Sequence, residues 1–353
     1  MPMVAVKSVF APYIYVCTRM RVRKSKLIPR EEYMRMLNMS LTEIIRVIQE
    51  TEYKQEIDEL STAFKGIDLI EVALSWNLAK EYQKILEITP GNLKQFTRSY
   101  LRRWDIQNIL TILRGRMQGE KLGKIKEILV PAGSLDRAAL DRLLAEDNPD
   151  RIVEALKGNR IYPVLSREYP GTKESGSFSR LENELYKQFF SEIIAEGESG
   201  IKGGNQFLDF IRFDIDIRNI KTLFRLRADT FEEDAREMYI AGGVLSPADF
   251  TNLNNLRDRG EFIDQLKEKI SNSLLLSLLD ELKSEKVIHD VETRLTRVQL
   301  DQMERISKRN PFSIHPILVY LEKKRYEVLN LRALARGKES KLPSERIAEY
   351  LVI

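Results

Sequence analysis

One cysteine and two histidines in 353 residues leave this chain few groups for chemistry. Cys17 cannot form an internal disulfide, and that scarcity of thiols points to a reducing, cytoplasmic setting. It lies in an aromatic and aliphatic stretch with no His or Asp nearby, the surroundings of an inert buried thiol rather than a nucleophile. His289 and His315 each lack a second ligand at metal spacing, which favours packing or surface roles. Long apolar runs are missing too. LLLSLL at 274–279 falls far short of the roughly 18 residues that a membrane-spanning helix needs, so direct membrane insertion is not expected. No N-terminal stretch combines a basic head, an apolar block and a small-residue cleavage site. Strand-like alternation is nearly absent.

With 43% hydrophobic and 31% charged residues the chain is expected to be globular. Its 57 basic and 53 acidic residues leave a formal charge of +4, too small and too dispersed to call for nucleic acid. The exception is RMRVRKSKLIPR at 19–30, with six basic residues and no acid. A solvated helix end is the plainer reading; the other is contact with anionic lipid or an acidic protein surface, through Arg19, Arg21, Arg23, Lys24 and Lys26.

The strongest signal is repetition. DIQNILTILRG at 105–115 returns as DIRNIKTLFRL at 216–226 and as EVLNLRALARG at 327–337, an interval of 111 residues each time. Residues 105–116 and 216–227 share seven of twelve identities. The third copy keeps Asn330 and Arg336 and replaces Asp by Glu327. Turn signals recur in the same register, TPGN at 89–92, GIKGGN at 200–205 and RNPF at 309–312, where Gly, Pro and Asn interrupt helices. A long amphipathic stretch precedes each turn, so each pair is predicted to be a helical hairpin. Short helices are predicted ahead of the hairpins: one within 128–144 and 239–256, where a helix end is followed by a new start N-capped by Ser134 or Ser246, and another from Ser40, from 148 and from 258. The chain thus reads as all-α, with units at 21–131, 132–242 and 243–353, each of two short helices and a long hairpin, and residues 1–20 outside the repeat.

On a helical wheel of about 100° per residue, Ile106, Ile109, Ile112 and Leu113 fall within one arc. The other copies supply Ile217, Ile220, Leu223 and Phe224, then Val328, Leu331, Leu334 and Ala335. Asp105 sits inside the arc, Asn108 borders it and Arg114 points away. A carboxylate on an apolar stripe needs a partner. Asp105, Asp216 and Glu327, with Asn108, Asn219 and Asn330 beside them and Arg114, Arg225 and Arg336 a few residues on, are therefore read as a structural network that fixes how each hairpin packs. The competing reading, proton transfer or a metal site, lacks a second acid, His or Cys in each unit. Asp214 and Asp216 form a DxD pair but point about 200° apart on a helix. GRMQGEKLGK at 115–124 lacks P-loop spacing and follows no strand. No catalytic constellation and no cofactor site emerge.

YIYVCTRMRVR at 13–23, the RxDIxN phrase seen as RWDIQN, the chain length and the triple repeat together resemble the C subunit of the archaeal-type (A/V-type) rotary ATPases, the counterpart of the d subunit in eukaryotic vacuolar ATPases. The resemblance spans the whole chain; the Glu of the third copy departs from its pattern. It implies three similar helical lobes in a pseudo-threefold arrangement, forming a funnel with a central cavity. It further implies a single-copy, non-catalytic subunit, monomeric when isolated, on the cytoplasmic face of the membrane. There it would sit on the membrane proteolipid rotor ring and receive the central-shaft subunits D and F. The rival reading is a helical-repeat protein-binding scaffold, whose usual periods of about 20–50 residues are much shorter than this one; an enzyme with a hidden site comes third.

Overall fold

The protein is described by a computed structural model covering residues 11–228, 235–284 and 287–353. Residues 1–10 of the segment expected outside the repeat lie beyond the described residues. All described regular structure is helical, without a strand. The first stretch holds α1 (Ala11–Lys24), α2 (Arg30–Met36), α3 (Leu41–Gln49), α4 (Lys54–Leu60), α5 (Gly66–Ile88), α6 (Gly91–Leu101), α7 (Arg103–Met117) and α8 (Leu122–Ile128). Next come α9 (Arg137–Ala145), α10 (Pro149–Ala155), α11 (Tyr162–Ser175), α12 (Ser179–Glu198), α13 (Gly204–Ala228) and α14 (Ala235–Met238). The last stretch holds α15 (Pro247–Asn255), α16 (Arg259–Lys269), α17 (Ser273–Glu281), α18 (Ile288–Arg309), α19 (His315–Glu339) and α20 (Ser344–Glu349). No described helix is long and apolar enough to cross a membrane.

The order of elements repeats, but three short helices, not two, precede each hairpin, and one more follows it. The additional helices are α4, α11 and α17 before the hairpins and α8, α14 and α20 after them. In α11, Pro163 stands in the first turn, where a missing N–H costs nothing, but Pro170 and Gly171 behind it read as breakers. Burial of Val164, Leu165 and Tyr169 overrides that local signal. Helix ends follow the expected chemistry with one exception. Ser40 with Glu43 and Ser246 with Asp249 form capping boxes on α3 and α15. The cap of α9 is Asp136, which accepts from Ala139 N, and not Ser134, whose hydroxyl is engaged elsewhere. The second arm of the first hairpin is also divided. Bonds Arg102 N→Ser99 O and Asp105 N→Arg102 O, each spanning three residues, tighten a turn between α6 and α7.

The apolar arc is the core-facing one: none of its residues in α7, α13 or α19 is more than 3% exposed. Around it the long helices pack in sequence, α5 on α6, α7 on α12, α12 on α13, α13 on α18, α18 on α19, and α19 back on α5. The contacts form a closed circuit. Along α13 the apolar contacts change hands: Phe207 to Ile215 belong to the main core, and Ile217 to Phe224 join a second cluster with α15 to α18.

Candidate functional site

The repeated carboxylates hold backbone amides. Asp105 Oδ2 accepts from Ser134 N at 2.9 Å and Ser134 Oγ at 2.7 Å, and its Oδ1 accepts from Leu135 N at 2.9 Å. Asp216 Oδ1 accepts from Val244 N at 2.6 Å. The loop backbone comes so close that a Cβ on Gly133 would lie 2.2 Å from Asp105 Oδ1, and one on Gly243 would lie 2.1 Å from Asp216 Oδ1. Only glycine fits there. Burial raises the pKa of both carboxylates; three donors restrain the rise at Asp105, whereas Asp216, with its one amide, is pushed up to about 6.

The third copy solves the same problem from the other end of the chain. Glu327 Oε2 accepts from Ile28 N at 2.6 Å, and its Oε1 accepts from Tyr53 OH at 2.7 Å and Lys324 Nζ at 2.8 Å. Lys324 is 2% exposed and lies over the Tyr53 ring. The extra methylene of Glu reaches a segment that is not the continuation of its own loop.

Each Asn clamps a backbone peptide in both directions. Asn108 Nδ2 donates to Val130 O at 2.7 Å and Asn108 Oδ1 accepts from Val130 N at 2.9 Å. Asn219 does the same to Ile240 at 2.8 and 3.1 Å, and Asn330 to Val352 at 2.8 and 2.8 Å. The amide side chain thereby satisfies an N–H and a C=O that lie outside helices.

Each Arg crosses to the neighbouring long helix. Arg114 Nη2 meets Glu182 Oε2 at 2.6 Å, Arg225 pairs with Glu292, and Arg336 takes both oxygens of Glu71 at 2.5 and 3.0 Å. These pairs join α7 to α12, α13 to α18 and α19 to α5. The three glutamates were not singled out from sequence, although they recur near the 111-residue interval, at 71, 182 and 292.

A second set lies two residues before each carboxylate, Arg103, Asp214 and Arg325, of which only Asp214 was singled out from sequence, as half of a DxD pair. Arg103 Nη2 donates to Asp214 Oδ2 at 2.7 Å and its Nη1 to Glu322 Oε1 at 2.9 Å; Arg325 Nη1 reaches Glu322 Oε2 at 3.2 Å. Tyr100 OH and Gln299 Nε2 complete the satisfaction of Glu322 and Asp214 at 2.8 and 2.6 Å. Burial acts to raise Asp214, but Arg103 and Arg218 outweigh it and hold the carboxyl below its ordinary range. The two halves of the DxD motif face different partners, and no group of three or more metal-ligating side chains occurs among the described residues.

The basic segment is largely paired internally. Arg23 bonds Glu81, Lys24 bonds Glu304, and Lys26 meets Glu52 at 2.9 Å. Arg19 donates to Tyr15 OH at 2.6 Å, and Arg21 donates to Pro311 O at 2.7 Å beside Phe312. Cys17 is buried and its thiol is pushed up to about 11 by that burial. His315 is buried too, its Nδ1 2.8 Å from Ser313 Oγ, while the His289 ring lies against that of Tyr350, tilted by 40°.

An all-helical body with long helices joined in a circuit, and with its buried charges engaged in holding segments together, has the features of an assembly component. Residues 16–350 match the family model described as ATP synthase (C/AC39) subunit, and the chain belongs to that family. It is similar to the C subunit of the A-type ATP synthase of Methanosarcina acetivorans, with 37% identity over 97% of this chain and 93% of that protein. The counterpart in Methanococcoides burtonii is 38% identical over 97% of this chain and 94% of its own length, and that of Archaeoglobus fulgidus 36% identical over 97% of each.

Proposed function

We propose that this chain is a non-catalytic central-stalk rotor subunit that couples a central shaft to a membrane proteolipid ring and passes torque between them. In this reading the units 21–131, 132–242 and 243–353 are three lobes around a pseudo-threefold axis, forming a funnel whose cavity receives the shaft subunits D and F. The whole rests on the ring at the cytoplasmic face of the membrane. The observation that carries it is the set of corresponding ion pairs Arg114–Glu182, Arg225–Glu292 and Arg336–Glu71, the last of which returns from α19 to α5. A torque link has to resist shear between its parts, and a closed circuit leaves no free end at which a helix pair can slide. The side chains Asp105, Asp216, Glu327 and their Asn and Arg companions then serve as structural joints. Of Arg19, Arg21, Arg23, Lys24 and Lys26, Arg19 and Arg21 have no carboxylate partner among the described residues and are the best suited to an outside contact.

The test is capture of the tagged, full-length protein from native, detergent-solubilised membranes. Recovery of the proteolipid ring together with shaft subunits is expected. Recovery of unrelated soluble proteins with no ring would overturn the reading and favour a scaffold.

A further inference from the structure

The polar cavity beside Arg103 carries a surplus of positive charge that the joints leave unused. It has a volume of about 250 Å³ and lies among α7, α12, α13, α18 and α19. Five cations line it, Arg103, Arg218, Lys221, Arg225 and Arg325. The acids lining it are Glu182, Asp214 and Glu322. All three are already engaged: Asp214 by Arg103 and Gln299, Glu322 by Arg103, Arg325 and Tyr100, and Glu182 by Arg114 from outside the cavity. Arg225 is in turn held by Glu292.

Arg218 and Lys221 remain outside any ion pair among the described residues, although Arg218 is near enough to Asp214 to help hold its carboxyl low. They stand three residues apart on α13, so they are neighbours on one helix face. Neither has a carboxylate within ion-pair distance among the described residues. Arg218 lies over the Tyr186 ring, 3.6 Å from its centroid, which leaves its in-plane N–H groups available. Lys221 Nζ donates to Thr296 Oγ1 at 2.6 Å, which uses one of its three hydrogens. Burial, with Arg218 and Arg325 set against the opposing pull of Glu292 and Asp214, brings Lys221 down to about 8. Two half-buried cations side by side repel each other, and a recess with more cations than acids in its lining favours an anion that enters.

We propose that this cavity is a seat for one oxyanion, a carboxylate or phosphate group, held between the Arg218 guanidinium and the Lys221 ammonium. Charge-assisted hydrogen bonds from both sides suit such a group, and the planar guanidinium fork matches two of its oxygens. The anion has two sources: free phosphate, or an acidic side chain of a protein docking in the cavity. The second source rests on the coupler reading above; the first does not.

The experiment is titration of the isolated full-length chain with inorganic phosphate at low ionic strength, beside the double variant Arg218→Gln/Lys221→Met, followed by capture of shaft subunits with both chains. Melting temperatures of the two chains establish that the variant is folded, and Lys221→Met alone serves if the double variant is not. One phosphate per chain, weakened about tenfold or more in the variant, supports the seat with a free anion. No phosphate binding, with shaft capture reduced about tenfold in the variant while ring capture persists, supports the seat with a protein carboxylate. No phosphate binding and equal shaft capture by the two chains would overturn it. If neither chain captures ring or shaft, the coupler reading fails, and the phosphate titration alone decides for or against the seat.

Discussion

The backbone N–H of Ile28 donates to Glu327 Oε2 at 2.6 Å, joining residues 299 positions apart. In the first two copies the carboxylate takes its amides from the loop one short helix further along the chain, Ser134 and Leu135 after α8 for Asp105 and Val244 after α14 for Asp216. The loop before α2 takes that place for the third. Truncating Glu327 to Ala leaves Lys324 buried without its counter-charge, so a loss of about 3–5 kcal/mol is expected, and Glu327→Gln, which also removes the charge but keeps one acceptor oxygen and the side-chain volume, should lose less. Urea denaturation of both variants measures this. Trypsin should also cleave faster at Lys24 and Lys26 in Glu327→Ala; unchanged cleavage would mean that Glu327 does not tether that loop.

Arg103 satisfies two carboxylates with two different nitrogens. Arg103→Met removes the cation shared by Asp214 and Glu322, leaving Asp214 with Gln299 and Glu322 with Arg325 and Tyr100, and should cost about 3 kcal/mol. Lysine, a single point charge, cannot copy the fork, so Arg103→Lys should recover less than half of that loss. Equal stability of Arg103→Lys and wild type in chemical denaturation would refute the two-nitrogen account.

The glycines opposite the carboxylates make a steric prediction. Gly133→Ala and Gly243→Ala each force a methyl group into a carboxylate oxygen, with an expected cost of about 1–3 kcal/mol. Gly119, with nothing within 4 Å of the place a methyl group would take but a φ of +72°, is a control for conformational strain alone. Shortening the carboxylate in Gly133→Ala/Asp105→Ala relieves the clash, so the double variant should be more stable than the sum of the single losses predicts. Additive losses would count against contact.

The three Arg–Glu pairs differ in exposure. Glu71 is 10% exposed and bound through both oxygens by an Arg336 that is itself 58% exposed, while Arg114 and Glu182 are 41% and 32% exposed and share one bond. Double-mutant cycles should give a coupling of about 1–2 kcal/mol for Arg336 with Glu71 and below about 1 kcal/mol for Arg114 with Glu182. The reverse order would show that burial of Glu71 does not strengthen its pair.

Asp216 sets a pH dependence. Its carboxyl titrates at 3.8 by itself and at about 6 in the folded chain. Between those values the folded state binds more protons than the unfolded one, so this group's contribution to stability falls as pH rises from about 4 to 6 and stays low above. Asp216→Asn keeps an acceptor for Val244 N and removes the charge. It should therefore stabilise the chain at pH 7, by on the order of 2 kcal/mol, and bring no gain at pH 3.5. Equal effects of the variant at the two pH values would contradict the raised pKa.

Periodicity in the sequence was enough to mark the long hairpin helices, the turns between their arms and the buried arc of α7, α13 and α19, because each depends on residues a few positions apart; it did not mark α4, α11 and α17 or the break between α6 and α7. Internal repetition likewise marked Asp105, Asn108 and Arg114 and their counterparts, since a carboxylate on an apolar stripe must find a partner wherever the chain goes. The partners themselves were set only by tertiary structure. Ile28 for Glu327, Glu71 for Arg336 and Asp214 for Arg103 are joined across 299, 265 and 111 positions. Nothing in a local pattern encodes a distance of that kind; it arises when the long helices pack. The same holds for the surplus charge at Arg218 and Lys221. Each residue alone is an ordinary helix cation, and the deficit of acids around them exists only once five helices enclose one cavity.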